Sequence, residues 1–158
     1  MRPKKGATPQ ARANKEIATS PIFARLRAEM GEAFDAYFQR KVVALAGDIN
    51  KDYMGLSEVD RARVCASVHL LIHCAANVDF NERLDGAIRT NCRGPLRMLK
   101  LAELCPRLLS YVHVSTAYVN CNQPSGSKVL EELPHLEADG ELVMNEIGAM
   151  KVEDIGPR

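Results

Sequence analysis

Two adjacent hydroxyls, Ser115 and Thr116, close the run Tyr111-Val112-His113-Val114 and lead into Ala117-Tyr118-Val119-Asn120. The β-branched and aromatic residues before them suit a buried strand, and the hydroxyls end the apolar run. At the carboxyl end of a strand in an α/β sheet, hydroxyls stand where the strands open into a ligand crevice. There they can donate to a substrate carbonyl while the strand holds them still. A strand ending in a solvated turn would carry the same letters. Two further apolar runs stop in a comparable way: residues 42–46 meet Gly47-Asp48-Ile49, and residues 68–74 meet Ala75-Ala76-Asn77. Asp48 can accept a hydrogen bond from an adenine amino group, and the paired alanines let a ligand come close to the backbone. Singly, these features are a turn former, small-residue packing and a turn. At the ends of parallel strands they would share one edge of the sheet and suit a dinucleotide, with Asp48, Ile49, Ala75 and Ala76 on the cofactor.

The elements that must hold these groups alternate between helix and strand. Thr8-Pro9 offers an N-cap with proline at the first helical position, and a helix is expected over 9–17. Ser20-Pro21 opens a second helical region expected to reach Phe38, weakened at Gly31. Its core-facing stripe is Ile22, Phe23, Leu26, Met30, Phe34 and Phe38. The 42–46 and 68–74 runs are short and continuously apolar, as in parallel strands buried on both faces. Ser57 caps a short helix with Glu58 and Asp60 in its first turn, where the helix dipole favours acids. Residues 81–105 have helical periodicity, with Pro95 inside and expected to kink it. The third strand is 110–115. This alternation predicts βαβ units, hence an α/β fold with a parallel sheet and right-handed crossovers. Beyond Asn120 the pattern fades: 137–151 is acidic and loosely helical, and 136–158 reads as the weakly ordered or truncated tail of one partial domain over 1–158.

Composition removes several function classes. A formal net charge of +1 gives no general pull toward nucleic acid or an anionic membrane. No apolar run approaches the roughly 20 residues needed to cross a bilayer. The 5 cysteines are odd in number and never spaced as CxxC, which points to reduced thiols in an intracellular setting rather than a disulfide framework or a zinc site. The basic start, with Arg2, Lys4, Lys5, Arg12 and Lys15, invites comparison with a mitochondrial transit peptide. Pro3, Gly6 and Pro9 interrupt any amphipathic helix there.

Arg2-Pro3-Lys4-Lys5-Gly6, Ala46-Gly47-Asp48, the stretch from Ile72 to Phe80, Asn91-Cys92-Arg93-Gly94 and the stretch from Val112 to Asn120 together resemble, in order and spacing, the fatty acyl-CoA reductases. These are extended, atypical short-chain dehydrogenase/reductases, and the most specific piece is His-Val-Ser-Thr-Ala-Tyr-Val-Asn. The resemblance implies a Rossmann-like parallel sheet with helices on both faces, binding NADPH and reducing a long-chain fatty acyl-CoA through the aldehyde to the alcohol. It implies that Thr116 is the catalytic hydroxyl, hydrogen-bonding the oxygen on which charge develops, with Ser115 toward the nicotinamide. Arg2 and Lys4 match cations that pair with the 2′-phosphate of NADPH, although a solvated basic turn would read alike. Asn91 matches a helix asparagine near the active site. Peroxisomal or endoplasmic-reticulum attachment follows only from the family.

The sequence departs from that pattern in two essentials. It contains no GxG, the glycine turn that cradles a pyrophosphate at a helix N-terminus. The first strand and its Gly-rich loop are therefore expected to be missing from an incomplete Rossmann domain. The Tyr-xxx-Lys pair that donates the proton is also absent after Thr116, since Tyr118 is followed four residues later by Asn122. Tyr37 and Lys41 have the spacing, but they precede the hydroxyl pair, and Lys41 is expected to begin the 42–46 strand rather than share a helix face with Tyr37. Pro95, where a threonine is usual, puts the pose of Asn91 in question. The expectation is a fragment that alone neither binds NADPH tightly nor turns over acyl-CoA, with unpaired sheet edges open to self-association. Two alternatives stand beside it: the thioester-reductase domain of a carboxylic acid reductase, and a non-catalytic Rossmann remnant acting as an interaction module.

Overall fold

The computed structural model describes residues 1–132 and 138–150. Thr8 accepts a hydrogen bond on its hydroxyl from Ala11 N at 3.1 Å, which caps the short helix α1, Pro9–Arg12. The chain continues as a wide π-turn over Ala13–Ile17. A tight turn at Pro21–Phe23 leads into α2, Ala24–Met30. Gly31, with φ of 53°, breaks the axis before α3, Phe34–Lys41. The phenylalanine stripe does what its spacing requires. Phe34, Phe38 and Ala18 are buried together, and Phe23 meets Phe38 edge to face with ring centroids 5.5 Å apart. Ile22 is the exception: it stands 82% exposed, because the tight first turn points it away from that cluster.

Lys41 is the last residue of α3, not the first of a strand, and its ammonium lies 6.0 Å from the centre of the Tyr37 ring. The two therefore do share a helix face, contrary to the expectation from sequence. Neither lines a cavity of the site described below.

Residues 42–46 are extended but join no ladder, and Val43 is 53% exposed, so this segment is not a strand buried on both faces. Its backbone is satisfied from a distance. On one edge the Gln10 amide substitutes for a peptide group, donating to Val42 O at 3.0 Å and accepting from Ala44 N at 2.9 Å. On the other, the Met1 amine donates to Leu45 O at 2.7 Å and Gly47 N donates to Met1 O at 2.9 Å, the alternation of a parallel pair.

Ser57 caps α4, Glu58–Ser67, by accepting from Asp60 N at 3.1 Å. Two strands follow in one sheet: β1, Leu70–His73, and β2, Ser110–His113, parallel and in register from Leu70 opposite Ser110 to His73 opposite His113. Between them run α5, Leu84–Ala87, a π-turn at Ile88–Cys92, and α6, Arg93–Ala102. The parallel pair joined through helices is the expected α/β arrangement. Pro95 sits at the third position of α6, immediately past the π-turn, so the irregularity falls just before the proline. Tyr111 donates its hydroxyl to Pro95 O at 3.4 Å and so ties β2 to α6. Val114 N and Ser110 N donate to His73 O and His69 O, so alternate residues 69 and 73 face β2. The peptide groups of Leu70 and Ile72 face the other way, toward a cleft.

Helix α7, Gly140–Ala149, is capped by Asp139 and held to the start of α6, where Arg93 donates to Met144 O at 3.0 Å. Of the 136–158 tail, residues 136, 137 and 151–158 lie outside the described residues.

Candidate functional site

Two cavities meet at the residues that follow β1. The larger, about 1120 Å³, lies between the 45–49 segment and the free edge of β1; Arg2, Asp48, Ile49, Ala75 and Ala76 all line it. The smaller, about 510 Å³, holds Ala75, Ala76, Asn91, Ser115 and Thr116. Its volume is that of a small-molecule site. Ala75-Ala76-Asn77 line both, so the ends of β1 and β2 and the extended 42–46 segment are brought to one continuous region. Lys4 lines neither. It closes a tight turn in which Ala7 N donates to Lys4 O at 3.3 Å, with Gly6 at φ of 79°.

Asp48 is shaped by its own loop. Its carboxylate oxygen accepts from Asn50 N at 3.0 Å, and the Arg2 guanidinium lies 3.8 Å from the same atom. Asp48 N donates to Met54 O at 2.7 Å, across a turn in which Tyr53 and Met54 both take positive φ. That closed turn fixes the carboxylate at the mouth of the larger cleft. Ile49 packs directly on α6: a Cβ added at Gly94 would lie 2.5 Å from Ile49 Cγ1. Only a glycine lets the helix come that close.

Asn91 is held by the loop rather than pointing freely into the cavity. Its carboxamide oxygen accepts from Asn77 N at 2.8 Å, and its NH₂ donates to Asn77 O at 2.9 Å. Its neighbour Thr90 is buried and donates its hydroxyl to Asn50 Oδ1 at 3.1 Å. Two consecutive residues of the π-turn thus anchor the loops that carry Asp48 and Ala75.

Thr116 caps the tight turn Ala117–Asn120, its hydroxyl oxygen accepting from Tyr118 N at 3.3 Å. One lone pair is thereby committed, and the hydroxyl retains its capacity to donate. The backbone donor also polarises the oxygen, which makes the O–H a better donor. Behind this pair, His113 and the fully buried His73 approach each other at 3.1 Å between Nδ1 atoms, and His73 Nε2 has no hydrogen-bond partner among the described residues. Burial first, and the neighbouring His113 second, push the His73 imidazole below its usual pKa.

Asn77, Thr90 and Gly94 are the site residues that pattern reading leaves unassigned. Asn77 was visible as the residue closing the alanine pair. Nothing local marks Thr90, which reaches Asn50 from the π-turn, and Gly94, seen in the sequence only as the end of Asn91-Cys92-Arg93-Gly94, takes its role from Ile49 lying against α6.

The family model described as the male sterility protein, an NAD-binding domain, matches residues 1–152. Among curated proteins, fatty acyl-CoA reductase 1 of Gallus gallus is 32% identical over 161 residues, covering 100% of this chain and 30% of the relative. Fatty acyl-CoA reductase 1 of Mus musculus is 35% identical, over 85% of this chain and 25% of the relative. Fatty acyl-CoA reductase 2 of Homo sapiens is 29% identical over the same shares. The chain thus spans 25% to 30% of the length of these relatives.

Proposed function

Because this chain belongs to the male sterility family of NAD-binding domains, that of the fatty acyl-CoA reductases, we propose that it carries the cofactor-facing and carbonyl-facing part of an NADPH-dependent site reducing long-chain acyl-CoA through the aldehyde to the alcohol. One observation carries this reading: Thr116 lines a cavity that begins at Ala75-Ala76, and its oxygen accepts the Tyr118 N–H, so that its own O–H can serve as a donor to a carbonyl.

The residues present fit a dinucleotide at both ends. Asp48 has an oxygen beyond the one taken by Asn50 and Arg2, suited to an adenine amino group. Arg2 is mostly exposed beside it, and with Lys4 in the adjoining turn offers positive charge to a 2′-phosphate. The methyl side chains of Ala75 and Ala76 let the ligand run along the backbone between the two cavities, with Ile49 on the adenine side and Asn91 holding the Asn77 loop in place. A nicotinamide cofactor held here would supply hydride to the thioester carbonyl, the CoA thiolate leaving to give the aldehyde, and a second reduced cofactor would supply the hydride that takes the aldehyde to the alcohol. Thr116 then donates to the oxygen as it gains negative charge, with Ser115 beside it on the nicotinamide side. Neither a GxG loop nor a Tyr-xxx-Lys pair after Thr116 is in the sequence, which supports the reading that these 158 residues alone do not complete the reaction.

Calorimetric titration with NADPH tests this on two proteins: this chain, and a chimaera in which the amino-terminal strand and Gly-rich turn of a relative precede Met1. Tight binding by the chimaera and weak binding by the chain is the expected result. No binding by either would remove the dinucleotide reading and leave an interaction module.

A further inference from the structure

Phe80 and Tyr118 meet edge to face, ring centroids 5.8 Å apart and planes at 81°. Phe80 comes from the loop after β1 and Tyr118 from the turn after β2, so the pair bridges the two strand-end loops. Both rings stand more than 60% exposed, as does Val78, and all three line the cavity that holds Ser115 and Thr116. A single exposed apolar side chain is ordinary. Three on the rim of one cavity, with a hydroxyl donor inside it, form a patch that a ligand would cover. Tyr118 is also fixed relative to the donor, because its own N–H is the one bound to Thr116 Oγ1.

The geometry points to Phe80 and Tyr118 as the specificity residues for the acyl chain, clasping the methylenes next to the carbonyl while that carbonyl faces Thr116. This rests on the acyl thioester reading above and adds to it the place where the chain is held. Val78, Pro95 and Val114 extend the apolar wall, whereas the larger cleft carries the charged pair Arg2 and Asp48. The acyl end of the substrate is therefore assigned to the smaller cavity. Each methylene buried there is worth about 0.8 kcal/mol, or roughly fourfold in Kd.

Calorimetry of this chain with acetyl-, butyryl-, octanoyl- and lauroyl-CoA tests the assignment. Affinity should tighten with chain length until the cavity is filled. Phe80→Ala should weaken lauroyl-CoA by about tenfold or more and leave acetyl-CoA unchanged, while Tyr118→Phe, which keeps the ring, should behave as the parent; circular dichroism confirms that each variant is folded. Length-independent binding, or an equal loss for acetyl- and lauroyl-CoA in Phe80→Ala, overturns the clasp while leaving an acyl-CoA site. Failure of every acyl-CoA to bind overturns the clasp and the acyl thioester reading together. A preserved length series with no NADPH binding by chain or chimaera sustains the clasp and removes the reductase reading.

Discussion

His73 and His113, opposite each other in the β1–β2 register, bring their Nδ1 atoms to 3.1 Å. At that distance there is room for one N–H between the two rings, with one nitrogen as donor and the other as acceptor. A second proton would set N–H against N–H in a place where His73 is shut off from water.

The folded state therefore prefers His73 neutral, and its pKa lies below the unfolded value of about 6.5. With a depressed histidine the unfolded chain binds more protons in the window between the two pKa values. Stability is then full above about pH 6.5 and is lost as pH falls through that window. Thermal melts between about pH 5 and pH 8, the range over which histidine titrates, should show Tm dropping on the acid side. His73→Phe should flatten that slope; an unchanged slope would assign the acid loss to another group.

Gly94→Ala sets helix propensity against a collision. Replacing a helical glycine by alanine gains up to about 1 kcal/mol, but the new methyl would stand 2.5 Å from Ile49 Cγ1 and 2.7 Å from Cδ1. Overpacking of that kind costs about 1–3 kcal/mol, so a net loss is expected on urea denaturation. In an Ile49→Ala background the same change should become neutral or favourable. An equal cost in both backgrounds would show that the contact is not what Gly94 serves.

Asn91→Ala removes both hydrogen bonds to the Asn77 backbone. A loss of about 1–2 kcal/mol is expected. The sharper readout is amide exchange at Asn77, which should speed up in Asn91→Ala and change least in Asn91→Asp, since the aspartate keeps the acceptor. Unaltered exchange at Asn77 in both variants would contradict the clamp.

Thr116→Val keeps the shape of the side chain and removes the cap on Tyr118 N, which costs about 1 kcal/mol. Thr116→Ser should keep it. In the NADPH-binding chimaera extended further by a relative's Tyr-xxx-Lys helix, Thr116→Val should also lower acyl-CoA turnover by on the order of 10²-fold. Turnover equal to the parent would take Thr116 out of the chemistry.

What the sequence shows well is where local grammar is strong. Thr8 and Ser57 cap the helices they are expected to cap, and the Ala75-Ala76 and Ser115-Thr116 ends fall at the carboxyl edge of two parallel strands. Residues 42–46 mislead because their hydrogen-bond partners are Gln10 and Met1, too far along the chain for any local pattern to reveal. Lys41 misleads because an apolar run begins at the next residue, while the helix still gains a Lys41–Tyr37 ring contact by including it. The roles of Thr90, in the π-turn, and Gly94, in the first turn of α6, depend on which loop each lies against, a tertiary fact with no periodic signature.

The π-turn at Ile88–Cys92 has a mechanical consequence. Its adjacent residues 90 and 91 point in different directions, Thr90 to Asn50 and Asn91 to Asn77. One peptide unit therefore separates the fastening of the Asp48 loop from that of the alanine loop. The Asp48 loop and the alanine loop are thereby tied together through two adjacent side chains of one turn, so neither fastening can shift without loading the residue that holds the other.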